Sequence, residues 1–332
     1  MKNIAIVFLR VFILFSLLRP FHACQIEEQS TIQEAETKES LFNRDEALTL
    51  SLNFDVDFFK EANEGKRYYH KALFMLETAD GRMQKISAEV KLRGQFRTDT
   101  AYCTLPQLKL KLDKALMGIK SFDLVLPCQD NPEYTQYLVL ENLIYQFYQR
   151  FCEFSFQCKM VKLQIQNTGK SGGSIQVYAM LKETENTLEQ RCQAKELETL
   201  PIDSSRIDPL VYHKMLIFQQ LIGNDDWSLR FLHNIKILEN ENGSLFPLPY
   251  DFDFAEMIST PPASFDTVEL YENHPLKKNV PMYDYTLGVL SEHFKYFITM
   301  TEQDALLTAK SKMRTINYLK KSMARLKENE NR

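Results

Sequence analysis

The chain has 332 residues, enough for one large domain or two lobes. Its 44% hydrophobic and 25% charged content is that of a globular protein and excludes a fibrous or low-complexity chain. The net charge of −4, with no basic stripe along the sequence, excludes a nucleic-acid binder. No segment repeats at a fixed period.

The first 23 residues read as an export signal. Lys2 precedes the apolar run "IAIVFLRVFILFSLL", which is short for a membrane span and is interrupted by Arg10. Cleavage beside Ala23 makes Cys24 the first residue, an arrangement that resembles a bacterial lipoprotein signal with Cys24 as the lipidation site. Simple secretion is the alternative. Residues 24–40, "QIEEQSTIQEAETKES" among them, are polar and acidic without apolar period and predict a disordered tether. Losing Lys2, Arg10 and Arg19 with the signal makes the mature chain more acidic still. The protein is therefore expected to be exported. It is either lipid-anchored in the bacterial cell envelope, touching the membrane only through that anchor, or secreted.

The six cysteines form no CxxC pair, which argues against zinc, and export permits disulfides. Cys103 and Cys128 flank two short strands that read as neighbours, so they are predicted to pair. A loop of that length stabilises by roughly 3 kcal/mol on the loop-entropy view. Cys152, Cys158 and Cys192 are left unassigned.

Residues 41–183 read as mostly strands with one helix. "LTLSLNF", "HKALFMLETADGRMQKISAEVKLRG" and "LPQLKLKL" alternate apolar and polar residues, with Asp80-Gly81 as a hairpin turn. "FDLVLPC" is another short strand. The helix is "EYTQYLVLENLIYQFYQRF", with an apolar stripe of Tyr137, Leu140, Ile144, Phe147 and Phe151. Glu141 falls against that stripe and calls for a cationic partner; a side chain reaching solvent from the stripe's edge is the alternative. "GKS" at Gly169–Ser171 lacks the earlier glycine of a phosphate loop, since Gln164 stands there, and predicts a hairpin turn.

Residues 184–332 read as largely helical. Asp208-Pro209 is an N-cap with proline at the first helical position. "LVYHKMLIFQQLI" follows and Gly223 ends it. His213 within it is expected to be a surface or core residue, not a ligand. Residues from about Glu302 to Glu328 predict a charged helix. Between them lies "GNDDWSLRFLHNIKILENENGSLFPLPYDFDF", with "HNIKILE" as one strand, Asn242-Gly243 as the turn, and "LFPLPYDFDF" as the return strand. Antiparallel pairing brings Asn224, Asp225, Asp226, Asn234, Asp251 and Asp253 to one end of that hairpin. Such oxygen donors suit Mg²⁺ or Mn²⁺. A purely structural cation, or mutual capping without metal, is the alternative.

"GNDDWSLRFLHN" followed by "PLPYDFDF" resembles the CotH kinase family and, more distantly, HipA-like kinases. The upstream segments "HKALFMLETADGRMQKISAEVKLRGQFR", "CTLPQLKLKL", "FDLVLPC" and "LVLENLIYQF" look like those of an exported bacterial family related to CotH. The resemblance implies an α+β, bilobal, atypical protein-kinase-like fold with a strand-rich N-lobe and a mainly helical C-lobe. It implies a monomeric phosphotransferase that uses ATP with Mg²⁺ (or Mn²⁺) on a protein or envelope component. Asp226 would be the catalytic aspartate. Asn234, Asp251 and Asp253 would hold the metal, Glu183 would lie at a hinge near the nucleotide, and Glu141 would pair with the phosphate-binding cation. Gln107 stands where the family carries that lysine, which leaves Lys109, Lys111 or Arg93 as substitutes. A catalytically inactive relative that binds nucleotide or metal, or serves as a scaffold, is one alternative; a structural lipoprotein whose carboxylates only cap loops is the other.

Overall fold

In the computed structural model the first half is organised by strand pairing. Residues 41–43, 48–57, 68–77, 81–94, 103–258 and 280–330 are described. The expected signal, Cys24 and the tether lie outside them, as does Asp80. Seven strands form one sheet: β1 (Leu48–Phe54), β2 (His70–Glu77), β3 (Met83–Leu92), β4 (Leu108–Leu116), β5 (Ile119–Val125), β6 (Cys158–Asn167) and β7 (Ser174–Glu183). The order is β1-β2-β3-β4-β5-β7-β6, and β6 returns to β1 in parallel, Leu48 opposite Val161 through Phe54 opposite Asn167. That last pairing closes a barrel. Its interior is Leu50, Leu52, Phe74, Val90, Leu110, Phe122, Leu163 and Leu181, all but inaccessible to solvent. Strand alternation puts one side chain in two inside and leaves the others for the outer face.

This closure corrects the expected fold. The chain is not bilobal and kinase-like, with a strand-rich N-lobe set against a mainly helical C-lobe. Among the described residues it has a closed seven-stranded mixed barrel with five α-helices. The parallel β1–β6 contact joins residues about a hundred positions apart, and no local pattern announces it. The second half also carries its own three-stranded antiparallel sheet, β8 (Ala194–Glu196), β9 (Ile235–Asn240) and β10 (Leu245–Pro249), in the order β10-β9-β8.

The helices are α1 (Pro132–Phe151), α2 (Glu185–Cys192), α3 (Pro209–Ile222), α4 (Val280–Gln303) and α5 (Ala309–Glu330). The charged C-terminal helix expected from about Glu302 is α5, which begins after a break that ends α4 at Gln303. Asn131 caps α1 by accepting from the Glu133 and Tyr134 N–H groups, and Asp208 caps α3 by accepting from Val211 at 2.8 Å. Gly223 ends α3 in the left-handed conformation at φ 64°. A second core joins α1, α3, α4 and α5 through Phe147, Phe218, Phe297 and Leu319, with Phe252 packed among them from the chain after β10. Among the described residues no helix is long and apolar enough to cross a membrane.

Cys103 and Cys128 form the expected disulfide, with Cα atoms 4.5 Å apart. It ties the chain entering β4 to the chain leaving β5. The Thr104 N–H donates to the Cys128 carbonyl at 2.8 Å beside it. Cys152, Cys158 and Cys192 are thiols. The "GKS" segment is the β6–β7 turn, where the Ser171 N–H donates to Asp57 at 2.7 Å.

Candidate functional site

The end of the β9–β10 hairpin gathers most of the expected residues. Gly223 closes α3, and Asn224, fully buried, accepts from the Asp226 N–H at 3.2 Å. Ser228 and His233 then exchange backbone hydrogen bonds at 2.9 Å each way, so the loop between them is pinched shut. Asp226 and Asn234 flank this pinch and are thereby brought together. One nitrogen of Asn234, Nδ2, donates to the Asp226 carbonyl at 2.8 Å and to its Oδ2 at 3.0 Å. With the amide nitrogen committed, Asn234 Oδ1 is left as an oxygen donor. His233 Nε2 lies 2.9 Å from Asp226 Oδ1.

Asp251 arrives from the returning strand. The Tyr250 N–H donates to the Asn234 carbonyl at 3.0 Å, which continues the β9–β10 ladder one step further. The next residue, Asp251, adopts φ 62° and donates its N–H to Tyr145 Oη on α1 at 2.8 Å. Phe252 is buried between Tyr145 and Phe218, with ring centroids 4.8 and 6.3 Å away. Burying Phe252 turns Asp251 outward, where it is exposed, with Asp253 half-buried beyond it. Leu232, Asn234 and Asp251 are three of the five non-glycine residues with positive φ among those described, so backbone strain gathers at this one hairpin end.

The Asp251 carboxylate and Asn234 Oδ1 are hard oxygens carried at the same hairpin end, of the kind Mg²⁺ takes when substrate oxygens and water complete its shell. Among the described residues no three His, Cys, Asp or Glu side chains are placed to hold a metal. A cation here would depend on the amide and on the ligand it accompanies. Asp225 lies aside, near Glu256; burial and then that neighbour's charge push its carboxyl up. Trp227 turns into a separate apolar cluster and lines a cavity of about 200 Å³ with Pro201, Ile207, Tyr212 and Leu229.

The residues expected around the nucleotide separate into different contacts. Arg93 Nη1 meets Asp123 at 3.1 Å, Lys109 meets Glu185 at 3.4 Å, and the exposed Lys111 meets Glu89 at 3.8 Å. Glu141 is buried on α1, one turn before Tyr145. Burial, and then the charge of Glu141, push the Tyr145 phenol well above its usual range. Glu183 ends β7 with no exposed surface. Arg191 holds it through Nε at 3.0 Å and Nη2 at 2.9 Å, and the Gln157 N–H donates to it at 3.0 Å. Glu183 thus fastens α2 to the barrel. Gln107 clamps the end of β5 instead of facing a ligand. Its Nε2 donates to the Leu126 carbonyl at 2.8 Å and its Oε1 accepts from the Leu126 N–H at 2.9 Å.

Five further residues take part. Tyr145 and His233 hold Asp251 and Asp226. Asp123, Lys182 and Lys236 belong to a buried charge network in which Lys236 bridges Glu196 at 2.6 Å and Glu185 at 3.9 Å. The "HN" dipeptide was the available signal for His233; nothing local marks the other four. No protein-family model matches the chain, and no curated protein matches it.

Proposed function

We propose that the protein is a CotH-like phosphotransferase of the cell envelope, moving the terminal phosphate of ATP, with Mg²⁺ or Mn²⁺, to a hydroxyl of a protein or envelope component. One observation carries this reading: the Asn234 amide is locked onto Asp226 by two hydrogen bonds while Asp251 is held beside it in a left-handed conformation. Such strain in two polar residues is retained where geometry serves a ligand. The reading does not depend on a bilobal fold, since Asp226 comes from the loop after α3, Asn234 from the residue before β9 and Asp251 from just after β10.

In this reading each residue has a separate role. Asp226 orients the acceptor hydroxyl and receives its proton as the oxygen attacks the terminal phosphorus. The new P–O bond forms as the bond to the bridging oxygen breaks, and ADP leaves with that electron pair. His233 and Asn234 fix the Asp226 carboxylate, whose oxygens keep further lone pairs for the acceptor. Asp251 and Asn234 Oδ1 would hold the cation, whose chemistry is to neutralise charge on the phosphate oxygens. Asp253 and Glu141 remain supporting residues.

The Gln107 clamp favours a second reading, a relative that binds nucleotide and serves as a scaffold without transfer. The residue at the position of the family's phosphate-binding lysine is neutral and already bonded to Leu126. Titration calorimetry with ATP and Mg²⁺ tests both. Asp251→Ala is expected to abolish Mg²⁺-dependent nucleotide binding with the fold intact. Asp226→Ala is expected to spare binding and remove transfer, followed as autophosphorylation. Binding without any transfer by the wild-type chain selects the scaffold. Absence of Mg²⁺-dependent nucleotide binding refutes both.

A further inference from the structure

The outer face of the barrel carries a row of side chains that strand register alone defines. Lys91 on β3 stands opposite Lys109 on β4, Lys109 opposite Asp123 on β5, Asp123 opposite Lys182 on β7, and Lys182 opposite Cys158 on β6. Their chain neighbours Val90, Leu110, Phe122 and Leu181 point into the barrel, so Lys91, Lys109, Asp123 and Lys182 point out, while Cys158 packs in the core that joins the helices. Three ammonium groups therefore share a row with one carboxylate. Arg93, two residues after Lys91 on the same face, adds a guanidinium to that carboxylate at 3.1 Å. Like charges placed directly opposite each other across a sheet, as Lys91 and Lys109 are, destabilise it.

Lys182 is the most unusual member. It is 3% exposed, and its Nζ has no hydrogen-bond acceptor among the described residues. Its closest opposite charge is Asp123 Oδ2 at 3.8 Å, and the Phe156 ring centroid lies 3.8 Å from it. Burial, and then the charge of Arg93, hold its ammonium below the usual lysine range. A buried ammonium with unused donors is costly unless a further partner arrives. Asp123, equally buried, is shared between Lys182 and Arg93 without a well-aligned hydrogen bond to either. The charge of Asp251, at the hairpin end, reaches Arg93 and adds to that of Asp123 and Glu185 in favouring its guanidinium.

We propose that Lys182, with Arg93 and Lys109, forms a polyphosphate-binding subsite in which Lys182 is the most buried donor. This rests on the reading of the hairpin end as a phosphoryl-transfer site and adds the residues that would hold the donor's phosphate chain. Asp123 is the resting partner of the two inner cations and keeps them folded into place before the ligand arrives. Lys182 is then a binding and positioning residue, for which Asp226 and Asp251 do not substitute.

Inorganic tripolyphosphate is the probe, because it tests the subsite without a nucleoside or a transfer step. Wild-type protein is expected to bind it by calorimetry, Lys182→Met to weaken it at least tenfold, and Lys109→Met to weaken it severalfold. Lys162→Met, an exposed barrel lysine outside the row, is expected to change nothing. Ligand-free Lys182→Met is expected to melt at the wild-type temperature or above, since an apolar side chain of similar length removes a buried charge while Arg93 still neutralises Asp123. Lys182→Gln gives the same comparison if the Met variant does not fold. Tripolyphosphate binding equal to wild type in the Lys182 variant overturns the proposal. So does a lowered melting temperature with the ligand-induced shift preserved, and so does a wild-type protein that does not bind the probe. If Lys182-dependent binding of the probe is found without any binding or turnover of ATP with Mg²⁺, the subsite stands and the transfer reading fails.

Discussion

Protonating Glu185 removes the anion that ties three lysines together at the start of α2. Glu185 opens α2, 3.4 Å from Lys109 and 3.9 Å from Lys236, with Lys182 close behind. Burial alone would push its carboxyl up. The charges of Lys182, Lys109 and Lys236, with a backbone N–H at the helix start, outweigh that and bring it from 4.5 down to about 2. A carboxyl depressed on folding contributes stability that is complete above its unfolded value and is lost as pH falls toward the folded one. At about 1.4 kcal/mol per pH unit, the interval between 4.5 and about 2 is worth roughly 3 kcal/mol. Glu185→Gln imitates the protonated state. Urea unfolding followed by circular dichroism should therefore find the variant less stable than wild type by about 3 kcal/mol at pH 7. The gap should shrink by about 2 kcal/mol between pH 5 and pH 3, because only the wild type loses this contribution there. Other carboxylates titrate in both proteins and cancel in the comparison. A gap that stays constant from pH 7 to pH 3 would refute the assignment of these lysines as the partners of Glu185.

The remaining predictions concern the frame that holds the site. Replacing Cys103 and Cys128 by serine opens a loop whose ends are 25 positions apart and should cost about 3 kcal/mol in urea unfolding, with the slope altered little; a loss under about 1 kcal/mol would show that the unfolded chain is already restricted there. Gly223→Ala should destabilise by about 2 kcal/mol or more, because φ is 64° and the added Cβ would press on the Tyr318 hydroxyl and the Glu256 side chain. Thermal melting without a shift would argue against that geometry at the start of the Asn224–Asp226 loop. Asp208→Ala removes the acceptor for the Val211 N–H and should cost about 1 kcal/mol with no change in ligand binding.

Local pattern in the sequence was sufficient for the elements. Alternation in "LTLSLNF" and "LPQLKLKL" gave strands, Asp208-Pro209 and Gly223 bounded α3, and Asn242-Gly243 turned the hairpin that joins Asn234 to Asp251. Those signals act over a few residues, through φ preference, capping and side-chain period, so they are legible without the fold. The Cys103–Cys128 pair was legible for a related reason: its strands are consecutive, and consecutive strands pair. The barrel was not. Its closure depends on β1 meeting β6, and the energy that selects that edge comes from filling the space between Leu50, Phe122 and Leu163, which no window of sequence contains. The same limit hid the partners of the charges. Lys109 took Glu185, Arg93 took Asp123, and Lys182 stood out only once register placed it opposite Asp123, because a charge finds its counterion through space and not along the chain.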